Sequence, residues 1–364
     1  MGFDQFRGNA TTVSRLRQMI ARDHLPHAVI LTGPRGAGKF TLAQMVAKAV
    51  NCLERPLADD GLPDFCGLCR NCERIAQADA LDQRFAEAVE TRENLRESDK
   101  RETRIFVQTH PEVLIIPPDP PQMLVKVDQV RHVIVEMYYR PREGRQKFYI
   151  FSESNFMKEA ANALLKVLEE PPDFATLFLL AENSNALLPT IRSRCITLRL
   201  APLSADEIGQ DLALRTEWTA AQKILVARLC AGAVGRARSF DLTAYLTARK
   251  DALLLLTTAM GENDHSALFR ATESYRAGGE GKTKTDLLIS VLYSILEDLI
   301  FLKAGSVELM RNQDLQTELA AIAGQIGFDW IVRASDGLGD VQNGMRRNLL
   351  RSLSLDAFSS SIEI

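Results

Sequence analysis

Short apolar runs alternate with helical repeats over the first two hundred residues. Four runs have the length of a buried strand: 27–32 (HAVILT), 113–116 (VLII), 148–151 (FYIF) and 177–180 (LFLL). The last two do not alternate with polar residues, which is typical of strands covered on both faces. Between them, apolar residues recur at helical spacing, at Ala160, Leu164, Val167 and Leu168. Pro171 and Pro172 then stop the helix, so this segment predicts a βαβ unit of a parallel sheet.

From about residue 204 the pattern is helical, and we find no convincing strand after it. Ser204-Ala205-Asp206-Glu207 is a capping box that predicts the start of a helix. Further helices are expected at 286–303 and 316–326, with a loop at Gly278–Gly281. A charged segment with mixed signs, residues 73–104, is expected to be a solvated helix. The sequence therefore predicts an α/β domain followed by helical domains.

The composition is that of an ordinary soluble protein. The 364 residues are 46 % hydrophobic and 25 % charged, with a formal net charge of −3, which argues against a strongly basic surface for nucleic acid. The opening segment is polar, so we expect no signal peptide. The most apolar helix, 287–302, carries Glu297 and Asp298 and is not expected to span a membrane. These features predict a cytoplasmic protein.

A glycine-rich loop lies between the first predicted strand and the helix that follows it. It runs Gly33-Pro34-Arg35-Gly36-Ala37-Gly38-Lys39, and strand, glycine loop and helix are the context of a P-loop. We expect Gly33, Gly36 and Gly38 to let backbone N–H groups close around a phosphate, with Lys39 adding a positive charge.

This P-loop departs from its motif at the magnesium site. The motif has Ser or Thr directly after the lysine, but Phe40 stands there. Thr41 is one residue late, so its hydroxyl points about 100° away around the helix. A second magnesium ligand is expected as an Asp at the end of the 148–151 strand, where the chain has Phe151 and Ser152. Both ligands are therefore predicted to be missing.

Four cysteines follow the P-loop helix: Cys52, Cys66, Cys69 and Cys72. Gly61, Pro63 and Gly67 supply turns between them. Four thiolates suit a structural zinc site with no open position, and an iron–sulfur cluster is the alternative. Without a secretory signal, metal binding is favoured over disulfides. Cys195 and Cys230 stand alone, and we expect both to be buried as small hydrophobic residues.

Two long phrases carry a family resemblance. AANALLKVLEEPP at 160–172 and LLPTIRSRC at 187–195 resemble the central AAA+ segments of the clamp-loader subunits of bacterial DNA polymerase III. The motif support extends over roughly residues 3–245, and some subunits of that family have a similar zinc module after the P-loop helix. The stretch up to Asn162 is one residue shorter than the family spacing, which leaves open whether Phe151 or Ser152 replaces the Asp.

The resemblance implies three domains and a set of partners. It implies an AAA+ P-loop parallel sheet with the zinc module at about 52–72 in residues 1–202. A small helical lid at 203–245 and an all-α collar at 246–364 would follow. The implied partners are the motor (gamma/tau) and delta subunits, the sliding clamp and primer-template DNA, with no membrane.

The resemblance also assigns two arginines. Arg236, in Gly-x-x-Gly-Arg, matches the region where an arginine reaches a bound phosphate. Arg194, in Ser-Arg-Cys, matches the loop that faces the ATP of the adjacent motor subunit, so it would act as an arginine finger in trans. Arg192 is its rival on the same loop.

The missing magnesium ligands and the retained Ser-Arg-Cys favour a subunit that hydrolyses no ATP itself and serves a neighbour's site. Two alternatives stay open. One is a gamma/tau-type ATPase with unusual metal ligands, and the other is an AAA+-derived scaffold outside replication.

Overall fold

A computed structural model describes residues 2–261, 265–275, 278–347 and 349–362. The chain divides into two compact units. The first contains the residues up to Asp211 together with Ala231–Arg236, and the second contains Leu212–Cys230 and the residues after Arg236. The predicted domain boundaries at 202 and 245 stay a prediction.

The first unit is built on a six-stranded sheet. The strands are β1 (Ala28–Thr32), β2 (Val107–His110), β3 (Val113–Ile116), β4 (Lys147–Phe151), β5 (Ala175–Ala181) and β6 (Ile196–Arg199). Their order is β2-β3-β4-β5-β1-β6, and only the β2–β3 pair is antiparallel. The four apolar runs are the four central strands, which confirms the predicted parallel α/β sheet. The two edge strands β2 (VQTH) and β6 (ITLR) were not predicted, because polar residues interrupt both and neither is a continuous apolar run.

The helices between residues 10 and 212 are α1 (Ala10–Ala21), α2 (Lys39–Asn51), α3 (Arg70–Ala76), α4 (Leu81–Glu93), α5 (Glu97–Glu102), α6 (Val127–Met137), α7 (Lys158–Glu169), α8 (Pro189–Arg192) and α9 (Ala205–Leu212). Among these, α1 and α2 pack on one face of the sheet, and α6 and α7 pack on the other. Successive strand residues point to opposite faces. In β4, Phe148 and Ile150 join the core with α1, α2 and the cysteine segment, whereas Tyr149 and Phe151 join the core with α6 and α7.

The charged segment 73–104 differs from its prediction as one solvated helix. It contains the end of α3 and the separate helices α4 and α5. The Arg92 side chain is only 8 % exposed and pairs with Asp119, which is fully buried. Lys126 lies 3.4 Å from the same carboxylate. The cationic partners offset the cost of burying Asp119, so this segment is anchored to the rest of the unit.

The second unit is helical. Its helices are α10 (Ala220–Leu229), α12 (Leu242–Thr258), α13 (His265–Glu273), α14 (Gly278–Lys303), α15 (Gln316–Gln325), α16 (Phe328–Arg346) and α17 (Arg351–Ser361). The short α11 (Val234–Arg238) has its first three residues in the first unit. Helix α14 buries Leu288, Leu292, Ile295 and Leu299 along one stripe.

Two features of α14 were considered in the sequence: the glycines at its start and the acidic residues within its apolar stretch. The glycines at 278–281 were expected in a loop but lie in the first turn of the helix, so that prediction is wrong. Asp298 is fully buried and accepts the backbone N–H groups of Arg311 (2.7 Å) and Asn312 (2.9 Å). Among the described residues, no helix is both long and apolar enough to cross a membrane.

Candidate nucleotide site, cysteine cluster and arginine loop

The P-loop connects the carboxyl end of β1 to α2, as the sequence predicts. Gly36 and Gly38 have φ values of 82° and 88°, in the left-handed region that favours glycine. A Cβ atom on Gly36 would lie 3.0 Å from the backbone nitrogen of Arg236. The loop therefore needs glycine for both its conformation and its close packing.

Lys39 makes its contacts within the loop. Its Nζ donates to the carbonyl oxygens of Gly33 (2.6 Å) and Pro34 (2.9 Å). Burial lowers the pKa of Lys39, while the charges of Glu182 and Glu153 act in the opposite direction. The ammonium group is thus satisfied by the loop's own carbonyls. Neither of these two glutamates was predicted as a site residue, although Glu153 lies two residues after the end of β4.

The two positions expected to hold magnesium carry no suitable ligand. Phe40 is partly buried and packs against the core on the α1–α2 side of the sheet. Thr41 is exposed. At the end of β4, Phe151 is fully buried in the other core and stacks against Phe156 at 5.3 Å between ring centroids. Ser152 is therefore the first residue outside the strand.

Arg236 lies close to the P-loop through its backbone. The N–H of the preceding residue, Gly235, donates to the carbonyl oxygen of Gly36 at 2.9 Å. The side chain of Arg236 is exposed. The predicted phosphate-binding residues Gly33, Gly36, Gly38, Lys39 and Arg236 therefore lie in one region. Arg236 is held there by the backbone hydrogen bond of its neighbour Gly235, and its side chain makes no part of that contact.

The four predicted cysteines form one cluster. The sulfur atoms of Cys52, Cys66, Cys69 and Cys72 all lie within 4.8 Å of one another. Cys52 Sγ is 3.6 Å from that of Cys66 and 4.0 Å from that of Cys69. These separations exclude disulfide bonds. Zn–S bonds of about 2.3 Å in a tetrahedron place sulfurs about 3.8 Å apart. The cluster could bind a metal ion, and its size fits such a centre.

The surroundings of the thiols favour ionisation at Cys69. Burial opposes its ionisation, but backbone N–H groups of Leu53 and Cys72 outweigh burial and lower the pKa of Cys69 to about 7. Burial raises the pKa of Cys66 and of Cys72. A metal ion would replace those protons, because thiolates are the ligands.

Polar contacts fix the cysteine segment to the first two helices. Arg17 on α1 makes two hydrogen bonds to the carboxylate of Asp60, at 2.6 and 2.8 Å, and its Nε donates to the Pro63 carbonyl. Asn71 donates to the carbonyl oxygen of Asn51, next to Cys52, at 2.9 Å. Helix α2 runs from Lys39 directly to this segment, so the P-loop and the cluster share one helix.

The segment Ser193-Arg194-Cys195, which we call the arginine loop, follows α8. Arg194 Nη1 donates to the Thr190 carbonyl at 3.0 Å, and Nη2 donates to Glu169 at 2.7 Å, with the Arg194 side chain about one third exposed (36 %). Glu169 is a partner that we did not predict, although it lies in the phrase 160–172. Arg192 donates to Asn185 at 2.6 Å. The two arginines thus have different partners.

Of the two isolated cysteines, only Cys230 is buried as the sequence predicts. Cys195 is partly buried and packs against the core that contains α6 and α7. Burial raises the pKa of Cys195 to about 12, so this thiol is inert at neutral pH.

Comparisons with known proteins agree with the resemblance. A model of the family described as "DNA polymerase III, delta subunit" matches residues 8–204, more than half of the chain. DNA polymerase III subunit delta' of Bacillus subtilis is 26 % identical over 301 residues, which cover 82 % of this chain and 79 % of that protein.

Two further relatives match over shorter regions. Subunit delta' of Pseudomonas aeruginosa is 31 % identical over 180 residues, 49 % of this chain and 44 % of that protein. DNA polymerase III subunit tau/gamma of Haemophilus influenzae is 29 % identical over 207 residues, 57 % of this chain. The chain spans only 25 % of that tau/gamma protein. The family match covers the P-loop, the cysteine cluster and the arginine loop, and the chain belongs to the DNA polymerase III delta subunit family.

Proposed function

We propose that this chain is the delta-prime subunit of a bacterial clamp loader. In this role it hydrolyses no ATP and helps to load the sliding clamp onto primed DNA. Relatives of both the delta' and the tau/gamma kind match this chain. The choice between them therefore rests on the chemistry of the P-loop.

The observation that carries the proposal is the state of the magnesium site. Phe40 is packed into the core where the motif has a hydroxyl, and Ser152 supplies no carboxylate at the end of β4. Phosphoryl transfer needs magnesium to neutralise the charge that develops on the transferred group. The Lys39 ammonium is bound to the loop's own carbonyls. A site of this composition supports no turnover.

We further propose that Arg194 acts in trans on the ATP of an adjacent motor subunit. A guanidinium is always charged and offers a planar set of donors to phosphate oxygens. Arg194 is partly exposed, and its contacts to Thr190 and Glu169 hold it on the loop. Exchanging Glu169 for a phosphate replaces one anionic partner with another. Arg192, bonded to Asn185, remains the rival.

The metal of the cysteine cluster is proposed to be zinc in a structural role. Four thiolates fill a tetrahedral centre and leave no position for a substrate. An iron–sulfur cluster is the alternative, and metal analysis distinguishes the two.

The remaining proposals concern domains and partners. We assign residues 1–202 to the AAA+ domain, 203–245 to a lid and 246–364 to a collar that joins the complex. The partners would be motor and delta subunits, the clamp and, through the complex, primer-template DNA in the cytoplasm. A truncation that ends near residue 245 should stay folded in its AAA+ domain but fail to assemble.

A gamma/tau-type ATPase is the second candidate. Glu153 follows Ser152 directly, and together with Glu182 it acts on the charge of Lys39. A carboxylate near the P-loop lysine could serve hydrolysis with unusual metal ligands. This candidate requires magnesium-dependent turnover by the isolated chain, abolished in Lys39→Ala.

The experiment that tests the proposal is reconstitution with purified motor and delta subunits. We expect no ATP turnover by the isolated chain, and higher DNA-stimulated turnover and clamp loading when it joins the complex. Arg194→Ala should assemble normally but lower both activities, and Arg194→Lys should rescue them poorly because the fork is lost. The loss should be smaller than the roughly 10³-fold known for arginine fingers, because other ATP sites keep theirs. If Arg192→Ala fails instead, Arg192 is the finger.

A further inference from the structure

A cavity of about 530 Å³ lies at the other end of β1 from the P-loop. Its wall includes Ala28, the first residue of β1, and Ile196, the first residue of β6. Five basic side chains line it: Arg15, Arg22, His24, His27 and Arg194. No Asp or Glu is among the lining residues. The volume is within the range of small-molecule sites, and the wall is suited to an anion.

Arg15 on α1 and Arg22, the residue directly after α1, both line this cavity. Arg15 and Arg22 are seven residues apart, which places them on one side of the helix. Both are exposed, and in the described parts of the chain neither forms an ion pair with a carboxylate. Asp23, next to Arg22, pairs with Arg55 instead, at 3.4 Å. Two cations are thus left for a ligand.

The histidine at the start of β1 gives an independent indication. The Nε2 atom of His27 is buried and has no hydrogen-bond partner. A buried polar atom without a partner is costly. His27 is itself one of the residues that line the cavity. The cavity also has apolar wall atoms, from Met19 and Ile196 among others. Such a site suits a ligand with phosphates and an apolar part.

We infer that this cavity binds the phosphate groups of a nucleotide, with Arg15 and Arg22 acting as anion-binding residues beside Arg194. The inference deepens and rests on the proposed trans role of Arg194, because it extends that role from one residue to a site. The nucleotide could be free in solution or held by an adjacent subunit. Both sources present the same phosphate chemistry.

The first test is calorimetric binding of inorganic tripolyphosphate to the purified full chain. We expect binding that weakens with added salt. The double variant Arg15→Ala/Arg22→Ala removes two positive charges from the wall and should bind roughly tenfold or more weakly. Arg131→Ala, which removes an exposed arginine on α6, is the matched control and should bind as the wild type does. Lys39→Ala should also bind normally, since the P-loop is not the site.

Two results would overturn the inference: no tripolyphosphate binding by the wild-type chain, or equal binding by the double variant and Arg131→Ala. The source is decided in the reconstituted complex. A higher ATP concentration for half-maximal turnover with the double variant supports a neighbour's nucleotide. Unchanged turnover, with tripolyphosphate binding still lost, supports a free one. If Arg194→Ala leaves turnover unchanged while the double variant still loses tripolyphosphate binding, the proposed finger fails but this site stands.

Discussion

The two ends of strand β1 differ in what their cations contact. At the carboxyl end, Lys39 donates to two carbonyls of its own loop, and Phe40 and Ser152 stand where magnesium ligands are expected. At the amino end, Arg15 and Arg22 line a cavity and form no ion pair with a carboxylate among the described residues, whereas Arg194 in the same wall pairs with Glu169. A cation that is satisfied within the fold contributes stability, and a cation that is left unpaired can bind a ligand. We therefore propose that Lys39 is structural at the first end and that Arg15 and Arg22 are available for a ligand at the second.

The cysteine cluster belongs to the structural end. Helix α2 starts at Lys39 and ends next to Cys52, and the cysteine segment packs in the same core as α1 and α2. The P-loop glycines still fit tightly against their neighbours, since a Cβ atom on Gly38 would lie 2.9 Å from the ring of Phe6. The P-loop is thus retained as a packed connection within the scaffold.

The largest effect is expected when the cysteine cluster loses its metal. This prediction tests whether the cluster stabilises the fold. Cys69→Ser should abolish zinc binding and cost about 3 kcal/mol or more, or roughly 6–12 °C in melting temperature. The AAA+ core should remain folded by circular dichroism. Cys230→Ala removes a buried thiol outside the cluster and should retain its zinc in elemental analysis. Wild-type protein without zinc, or a zinc-replete Cys69→Ser variant, would contradict this account.

The second prediction concerns restoring magnesium ligands at the P-loop end of β1. Binding of a fluorescent ATP analogue to the isolated chain should be insensitive to magnesium, because both ligand positions are lost. Phe40→Thr combined with Ser152→Asp should make binding magnesium-dependent by roughly tenfold, since the ion would then bridge protein and phosphates. The comparison between EDTA and magnesium is the measurement. Strong magnesium dependence in the wild type would contradict the proposal that the P-loop end of β1 lacks magnesium ligands.

Replacing Lys39 and replacing Arg194 should lower the free energy of unfolding by different amounts. Both losses should be smaller than the loss in the cysteine variant. Lys39→Met removes two hydrogen bonds from a partly buried ammonium, so we expect a loss of about 1–2 kcal/mol. Arg194→Ala removes a surface ion pair with Glu169 and should cost no more than about 1 kcal/mol. Urea unfolding of both variants measures the difference. A larger loss for Arg194→Ala would make Arg194 the structural residue of the two.

The smallest effect is the contribution of Lys39 to the pH dependence of stability. Burial lowers its pKa, so the folded state releases this proton at a lower pH than the unfolded state does. Between the lowered pKa and about 10.5, the unfolded chain binds more protons, and stability therefore rises with pH in that window. Unfolding of the wild type and of Lys39→Met at pH 8 and pH 10 should differ in this sense. Equal slopes for the two proteins would mean that Lys39 is not perturbed.

Features that depend on a continuous apolar run or a fixed spacing could be predicted from the sequence. The four central strands, the P-loop context and the cysteine cluster follow from such local signals. The edge strands β2 and β6 could not be found, because polar residues break up the apolar run that marks the central strands. The glycines at 278–281 were assigned to a loop because propensity alone disfavours them in a helix.

Contacts between distant segments were beyond local reasoning. The pairing of Arg92 with Asp119 and that of Arg194 with Glu169 both join residues more than twenty positions apart. The cavity at the amino end of β1 likewise combines α1 with the arginine loop, which are separated by most of the first unit. Only the fold reveals that Arg15 and Arg22 share a wall with Arg194.

The most direct test places Lys39→Ala and Arg194→Ala side by side in the same reconstituted clamp-loader complex. The measurement is DNA-stimulated ATP turnover per complex, after equal assembly has been verified by gel filtration. The account predicts turnover close to wild type with Lys39→Ala and clearly lower turnover with Arg194→Ala. Loss of turnover with Lys39→Ala, together with wild-type turnover for Arg194→Ala, would contradict it and identify this chain as an ATPase.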